Sequence, residues 1–450
     1  MFFPFVAHKG DKSVQMKNIV KWWKTIISVL VGAVYFIICF FPLRALMNYH
    51  EEHHMFRWDS YYLKEQLASW EGAGEYLNSF IMQFFYIGWL GAVIVALLMM
   101  GIQGFTWWLM CRVRLSKAWL FPLSFVPCAL LFYYSFVPER YRQEAEFREV
   151  IEYDYLVRTQ QWNAIINKPE TEQPATELGV WGTNFALAKC GQLSDFMFFF
   201  SQPGTNGLFD DGQQKEVLAY YSLSDIFLQL GMVNNAERMA FDAKQYIPQN
   251  HKSGRLYRRL AETNLINGHY TIAKKYLKIL KSTLFYGQWA RRFLEHIDDE
   301  EYISKAFAWQ RSIRQSSGRE LISPDKGELL LSLVQQNKEN SLAWDYLLAY
   351  ALLQRNLDKV ARYMQMYQEA GYERVPRAVQ ECLIGNRLLG KEECPHIDFK
   401  ADEKVEMLTE AYFQILESKH DINDIQLNEP PFSHTYWHYQ MQAIQKLQSP

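Results

Sequence analysis

Three long apolar runs lie in the first third of the chain. They cover residues 25–43, 80–105 and 119–137, and the first contains no charged side chain. A helix needs roughly 20 apolar residues to cross the hydrocarbon core of a bilayer. The pattern therefore predicts three membrane spans. Because the third run contains two prolines, the alternative is a re-entrant or interfacial segment.

After the third run the apolar positions follow a different pattern. They recur at i, i+3 and i+4, glycine and proline separate short segments, and strand-like alternation is scarce. This periodicity is typical of amphipathic helices that share a core. We therefore expect an all-α chain with a terminal segment over 1–24, a three-helix membrane module over 25–138 and a helical domain over 139–450. Met16 resembles a natural start, which would make residues 1–15 a start-site artefact.

The helical domain contains an internal repeat. Four residues recur at a displacement of 37, first as Tyr220, Leu223, Gly231 and Ala236, then as Tyr257, Leu260, Gly268 and Ala273. The spacing resembles the tetratricopeptide (TPR) repeat, in which glycine makes the turn between two helices that cross at a small residue. A weaker copy spans 341–372, with Asn356 at the turn and Ala361 at the crossing. Because one helix pair cannot bury its apolar face alone, we expect a TPR-like α-solenoid. The alternative is a set of unrelated helical hairpins that share small residues.

The charge distribution predicts an orientation in the membrane. Five lysines and one aspartate precede the first run, and the loop over 106–118 holds three basic residues and no acid. The loop over 44–79 holds six acids and three bases. Since cytoplasmic loops are rich in Lys and Arg, we expect a cytoplasmic N-terminus and a helical domain on the periplasmic side of a bacterial inner membrane. The first run is longer than the apolar core of a signal peptide, so we expect an uncleaved anchor.

Three stretches are similar to an uncharacterised family of Bacteroides-type membrane proteins. They are FRWDSYYLKEQLASWEGAGEYLNSFIMQFF (56–85), YDYLVRTQQWNAII (153–166) and FALAKCGQLSDFMFFFSQPGTNGLF (185–209). The resemblance implies N-terminal membrane helices followed by a TPR-like helical domain. It implies no catalytic residue, because none is established for that group.

Two groups of histidines are candidate metal ligands. They are His50, His53 and His54 in the string HEEHH, and the pair His434 and His438. The acids and histidines of the first string would spread around a helix instead of converging on one point, and no acid follows the second pair. We therefore expect no metal site, but a solvated interfacial segment around residues 50–54 and exposed or capping histidines near the C-terminus.

Three sequence motifs that are strong signals of enzymes are absent. The chain contains no GxSxG, GxxxxGK[ST] or GxGxxG sequence, so we expect no cofactor and no enzyme. Asp59 is expected to cap a helix rather than to act as a catalytic carboxylate. Phe198, Phe199 and Phe200 are expected to lie in the core. Cys382 and Cys394 would close the smallest disulfide loop outside the cytoplasm.

The inner face of the repeats, which the first helix of each pair forms, is the best candidate for binding. Arginine there presents a bidentate fork to a carboxylate, as in an acidic peptide. The alternative is a helix surface that is paired internally, with Arg258 bonded to Glu262 at i, i+4. The candidate binding residues are Tyr221, Asp225, Arg255, Arg258, Arg259 and Glu262.

The leading hypothesis for function is a membrane-anchored, non-catalytic scaffold that binds a protein or peptide partner at the cell envelope. The formal net charge of −2 divides into +4 for residues 1–138 and −6 for 139–450, which argues against binding to nucleic acid. The partners expected are therefore the lipid bilayer and a protein. The alternative is an envelope enzyme, or enzyme subunit, that acts on lipid or glycan through the loop over 44–79.

Overall fold

The computed structural model describes residues 10–68, 70, 72–210, 212, 214, 216–247, 251–315, 325–390, 397, 399–419 and 426–448. Within these residues the chain is all-α, with 24 α-helices and no β-strand. The first eight are α1 (Gly10–Phe40), α2 (Arg44–His53), α3 (Ser60–Leu67), α4 (Gly72–Met82), α5 (Gly88–Arg112), α6 (Val126–Leu131), α7 (Glu139–Gln143) and α8 (Ala145–Arg158). The next eight are α9 (Trp162–Ile166), α10 (Glu177–Lys189), α11 (Leu193–Phe196), α12 (Val217–Leu230), α13 (Val233–Tyr246), α14 (Gly254–Ile266), α15 (Tyr270–Leu280) and α16 (Gly287–Glu295). The last eight are α17 (Glu300–Ala306), α18 (Ala308–Ile313), α19 (Lys326–Gln336), α20 (Ser341–Leu353), α21 (Leu357–Glu369), α22 (Arg377–Leu388), α23 (Glu403–Lys419) and α24 (Tyr436–Gln448).

The chain divides into two compact units. Unit 1 comprises residues 1–148 with 283–285, and unit 2 comprises residues 149–282 with 286–450. Three helical stretches of unit 1 are long and apolar enough to cross a membrane, namely Trp22–Phe40, Gly88–Arg112 and Ala118–Phe136. The prediction of three apolar segments is thus confirmed, and it indicates association with a membrane.

The second stretch begins later than predicted. A 3-10 turn over Gln83–Tyr86 and the extended backbone of Ile87 interrupt the apolar run, so that α5 starts at Gly88 instead of residue 80. The third stretch is irregular. It consists of a 3-10 helix over Ala118–Phe125, the short α6 and a π-helix over Phe132–Phe136, because proline removes a backbone donor and disturbs regular helix.

A polar chain connects the three apolar stretches inside unit 1. The hydroxyl of Ser28 donates to Oε1 of Gln103 at 2.9 Å, and Nε2 of Gln103 donates to the hydroxyl of Ser124 at 2.8 Å. Gln103 is 3% exposed, so its amide is satisfied by protein rather than by water. Hydrogen bonds of this kind hold apolar helices together where the hydrophobic effect contributes little.

Unit 2 contains two hairpins with the same local geometry. Gly231 ends α12 with φ +98°, and Gly268 lies between α14 and α15 with φ +78°. Because a left-handed backbone is cheap only for glycine, this conformation explains the repeated residue. Ala236 and Ala273 are both fully buried where each second helix crosses the first. The displacement of 37 residues in the sequence therefore corresponds to a repeated hairpin.

The third hairpin, α20 and α21, differs at its turn. Asn356 was predicted to occupy the turn position, but it is the N-cap of α21, where its side chain accepts from the backbone N–H of Lys359 at 3.0 Å. The left-handed residue is instead Arg355, with φ +57°. An arginine thus stands where the other two hairpins have glycine, while Ala361 is fully buried as predicted.

Helix α20 also packs against elements far away in the sequence, namely α10, α11 and α12. Nδ2 of Asn340, the N-cap of α20, donates to the carbonyl oxygen of Leu230 at 2.9 Å. The guanidinium of Arg374 pairs with Asp195 at 2.6 Å. A linear solenoid has contacts between neighbouring repeats only, so unit 2 departs from that simple arrangement by folding back on itself.

Candidate functional site

The six predicted binding residues lie on two helices of unit 2. Tyr221 and Asp225 belong to α12, whereas Arg255, Arg258, Arg259 and Glu262 belong to α14. Helix α14 begins at this point because the hydroxyl of Ser253 caps it, accepting from the backbone N–H of Leu256 at 3.3 Å. Leu256, Leu260 and Ala261 on this helix are buried. Arg255 and Arg259 bond to Asp225 on α12.

The structure brings the predicted residues together in one ion network. Nη2 of Arg255 donates to Oδ2 of Asp225 at 2.6 Å, and Arg259 bonds to the other oxygen of the same carboxylate. The guanidinium carbon of Arg255 lies 4.8 Å from the ring centre of Tyr221. Asp225 therefore ties the first helices of two successive hairpins to each other.

One member of the network was missed by the sequence analysis. Asp154 on α8 accepts from Nη1 of Arg255 through both carboxylate oxygens, at 3.0 and 2.8 Å. Its side chain is only 3% exposed. The two residues lie 101 positions apart, and no sequence periodicity connects them. Because α8 carries several other charged residues, nothing in its sequence singles out Asp154.

The electrostatics of Asp225 follow from this pairing. Burial by itself raises the pKa of Asp225, but the positive charges of Arg255 and Arg259 and the hydrogen bond from Arg255 outweigh it, so that the net pKa is lowered. The carboxylate is therefore held ionised by its arginine partners.

Arg258 occupies the exposed edge of the network. Its Nε donates to Oε1 of Glu262 at 2.8 Å, as the alternative interpretation predicted, and its side chain is 40% exposed. The guanidinium lies 5.1 Å from the ring centre of Trp289. Arg255 and Arg259, by contrast, are 10% and 16% exposed.

The arrangement is an internally paired network rather than an unpaired basic patch. Three arginines face the carboxylates of Asp154, Asp225 and Glu262. A partner's carboxylate would have to displace buried aspartates to reach Arg255 or Arg259. Arg258 and the neighbouring ring of Trp289 are therefore the part of this cluster that an approaching partner can contact. We call these two residues the Arg258 edge.

The loop over 44–79 in unit 1 differs from expectation at its histidines. The predicted solvated segment is instead the end of a buried helix, in which His50, Glu51, Glu52 and His53 are 0–9% exposed. Nε2 of His50 lies 2.8 Å from the carbonyl oxygen of Phe136, and burial lowers the pKa of His50 to about 4. The prediction of a solvated segment was wrong, because these polar groups are bonded within the protein.

Asp59 is a helix cap, as predicted. Its Oδ1 accepts from the backbone N–H of Tyr62 at 2.8 Å, at the start of α3. Its Oδ2 lies 2.7 Å from Nη2 of Arg57. Both interactions hold the first turn of α3 and its entry segment.

The two C-terminal histidines lie in different structural elements. His434 lies in a 3-10 turn, and its ring stacks on Phe199 with the centres 4.5 Å apart. His438 lies in α24 and is 5% exposed, so the expectation that it is exposed was wrong. Phe198 is 7% exposed and belongs to the core, as predicted, whereas Phe199 and Phe200 are only partly buried, so the prediction was wrong for these two.

The cysteines described by the structure form no disulfide with one another. They are Cys39, Cys111, Cys128, Cys190 and Cys382. Cys394 lies outside the described residues, and so does the proposed bridge between Cys382 and Cys394.

Comparison with protein families gives one result. The model of the Family of unknown function (DUF6057) matches residues 18–145 and 136–443. Comparison with curated proteins gives no match, and comparison with solved structures gives none. Since the two matched ranges cover most of the sequence, the chain belongs to this family.

Proposed function

We propose that this member of the Family of unknown function (DUF6057) is a membrane-anchored, non-catalytic scaffold. Unit 1 would anchor the chain in a bacterial inner membrane with its N-terminus in the cytoplasm. Unit 2 would be a TPR-like helical array in the periplasm that binds a protein or peptide partner. The observation that carries the proposal is the pair of stacked hairpins α12–α13 and α14–α15, whose first helices are joined through Asp225.

Two features of these hairpins support a TPR-like arrangement. Consecutive helices from α12 to α16 pack against one another in chain order, and glycine makes the same left-handed turn in both hairpins. In stacked repeats of this kind the first helices line a continuous face that is used for binding extended partners. The ion network fixes the spacing between α12 and α14 along that face.

The Arg258 edge is the proposed point of contact. The side chain of Arg258 is 40% exposed, and its guanidinium lies 5.1 Å from the ring centre of Trp289. Arginine and tryptophan are the residue types that most often dominate the energy of protein interfaces. A partner segment with acidic side chains would pair with Arg258 without disturbing the buried aspartates. The partner is therefore expected to be an acidic peptide segment.

The alternative of an envelope enzyme has less support. It depended on Asp59 as a catalytic carboxylate at the membrane surface. Asp59 caps α3 and pairs with Arg57, which favours a structural role for this side chain.

Site-specific photocrosslinking in the native membrane tests the proposal. A photoreactive amino acid at Gln288, which is exposed and adjacent to Trp289, should give one discrete adduct, whereas the same group at Lys275, which is exposed on α15, should not. When Arg258→Glu is added to the crosslinking chain, the adduct should disappear. Lys275→Glu should leave the adduct unchanged. Equal adducts at both positions, or an adduct that persists in Arg258→Glu, would contradict the proposal.

A further inference from the structure

A cavity of about 780 Å³ opens in unit 2 between the segment 198–204, the turn after α20 and the start of α24. It is remote in sequence from the Arg258 edge and uses none of its residues. Polar groups and aromatic rings both line it, and among the described lining residues Arg355 is the one with a permanent charge. The cavity is therefore a polar, positively charged site with aromatic walls.

The backbone at Arg355 is strained. Its φ of +57° lies in the left-handed region, which costs a side chain with a Cβ about 1 kcal/mol relative to glycine. The equivalent turns of the first two hairpins have Gly231 and Gly268, as this geometry favours. Strain retained where glycine would be cheaper points to a role for the side chain.

Among the residues that the structure describes, the guanidinium of Arg355 has no acidic partner. It forms no ion pair or hydrogen bond with any described residue, and its Nε is buried without an acceptor. Its carbon lies 4.1 Å from the ring centre of Tyr439, whose hydroxyl donates to the carbonyl oxygen of Leu353 at 3.1 Å. Tyr439 thus holds the cation in place without neutralising it. The neighbouring Arg377, by contrast, is paired with Glu381 at 2.8 Å.

A second unsatisfied group lies on the same cavity. His438 is 5% exposed, and one of its ring nitrogens, Nε2, lies 2.8 Å from Nε2 of Gln442. Its other ring nitrogen, Nδ1, is buried without a partner among the described residues. If the amide of Gln442 donates to Nε2, the neutral imidazole carries its proton on Nδ1. A buried N–H without an acceptor costs free energy that an anionic ligand in the cavity could recover.

The aromatic wall supplies a surface for an apolar group. Phe199 and Phe200 line this cavity and also a second one of about 440 Å³, which is lined mainly by apolar side chains such as Ile165 and Leu187. An apolar chain or ring can therefore rest on these phenylalanines while a charged group faces Arg355.

We propose that the Arg355 cavity binds a carboxylate carried on an apolar group. A single guanidinium with an imidazole N–H matches the charge and the two acceptors of one carboxylate, whereas a phosphate dianion would call for more donors. The carboxylate could belong to the C-terminus of a peptide or to a fatty acid. This site is additional to the proposed partner-binding function and does not depend on it.

Fluorescence anisotropy with the detergent-solubilised full chain tests this proposal. The probe is a fluorescein-labelled Gly-Gly-Ala-Phe peptide with a free carboxylate, compared with the same peptide as a C-terminal amide. We expect the carboxylate to bind at least tenfold more tightly than the amide. Octanoate, set against octanamide as a neutral control, competes if an aliphatic carboxylate uses the same site.

Arg355→Gly is the decisive variant, because it removes the guanidinium and also relieves the left-handed strain, so it does not threaten folding. It should weaken binding of the carboxylate at least tenfold. Gln160→Gly is a matched backbone control, since Gln160 is exposed and also left-handed with φ +56°. Arg362→Ala is a charge control at an exposed position. Neither control should change the affinity.

Binding of the peptide alone assigns a peptide C-terminus, and binding of octanoate, measured directly by calorimetry, without the peptide assigns a fatty acid. Absence of binding by both carboxylates, equal binding of carboxylate and amide, or wild-type affinity in Arg355→Gly would overturn the proposal. Arg258→Glu should bind the carboxylate normally, so that failure of the scaffold proposal and failure of this one can be told apart.

Discussion

Arg255 and Asp154 form a two-point contact between α14 and α8, in which one guanidinium nitrogen donates to both carboxylate oxygens at 3.0 and 2.8 Å. The two side chains are 10% and 3% exposed. Removing one member of a pair this deeply buried is costly, because the charge that remains loses a strong partner and water does not replace it. The contact therefore fixes how α8 meets the repeated hairpins.

Removal of Arg255 should strongly destabilise unit 2. Arg255→Met keeps most of the aliphatic volume but removes the cation that bonds both oxygens of the buried Asp154 carboxylate, so we expect the free energy of unfolding to fall by about 3 kcal/mol. Arg258→Met removes an arginine that is 40% exposed, and should cost at most about 1 kcal/mol. Thermal unfolding followed by circular dichroism measures both. Equal losses of unfolding free energy in the two variants would show that burial of the ion pair does not determine its contribution to stability.

Asp225 should make stability depend on pH in the acid range. Its pKa is lowered in the folded state, in spite of burial, by Arg255 and Arg259. The ionised carboxylate therefore contributes stability above the unfolded pKa of about 3.9, and this contribution is lost as the pH falls through the lower folded value. Asp225→Asn should be less stable than wild type at pH 7, and the difference should shrink below about pH 4. Melting temperatures of both proteins across this range provide the measurement.

Asp345 should act in the opposite direction. Burial, together with repulsion from Asp195, raises its pKa to about 7, although Arg374 partly offsets the shift. A raised folded pKa means that stability is lost as the pH rises from about 4 through 7, since the charged form is disfavoured in the fold. Asp345→Asn should therefore raise the free energy of unfolding at pH 8 by about 2 kcal/mol after solvent screening, and leave it unchanged at pH 4.

The control for Asp345 is Glu373→Gln, which removes one negative charge at an exposed position nearby. It should change the melting temperature little at either pH. A stabilisation by Glu373→Gln equal to that by Asp345→Asn would mean that net charge, not the local environment of Asp345, is responsible.

The two repeat glycines should differ in their tolerance of alanine. Gly231 and Gly268 both have positive φ, so alanine costs about 1 kcal/mol of strain at each. At Gly231 a Cβ would also overlap the carbonyl oxygen of Ile313, whereas at Gly268 it would meet nothing within 4 Å. We expect Gly231→Ala to lower stability by at least about 1 kcal/mol more than Gly268→Ala. Chemical denaturation of both variants is the measurement, and indistinguishable midpoints would contradict the role of Ile313.

The proposed orientation makes a separate prediction. Alkaline phosphatase, which is active only outside the cytoplasm, should be active when it is fused after residue 150. The same reporter placed after Lys117, in the basic loop between α5 and the third apolar stretch, should be inactive. Activity in the loop fusion and none after residue 150 would reverse the topology.

The repeated hairpins could be predicted because their signals are local. The left-handed backbone at each turn favours glycine at Gly231 and Gly268. The close crossing of the two helices favours a small residue at Ala236 and Ala273. The ends of the apolar stretches were less predictable. Hydropathy alone continues across Ile87, where the backbone becomes extended before α5.

The candidate site could be predicted only in part. The residues that i, i+4 spacing connects, such as Arg258 and Glu262, were identified from the sequence. Asp154 could not be identified, because its partner lies 101 positions away and tertiary packing alone brings them together. Arg355 was missed for a related reason. The turn was assigned to Asn356 by residue type, since arginine is rarely expected in a left-handed conformation.

The packing of α20 against α10, α11 and α12 has a consequence for how unit 2 loses its structure. In an open array, terminal repeats can unravel one at a time while the others persist. Here the N-cap Asn340 is bonded to Leu230, the last residue of α12. Truncation of the chain just before α19 would remove the third hairpin and also expose the first one. Melting should therefore be a single cooperative event in which distant segments of the chain unfold together.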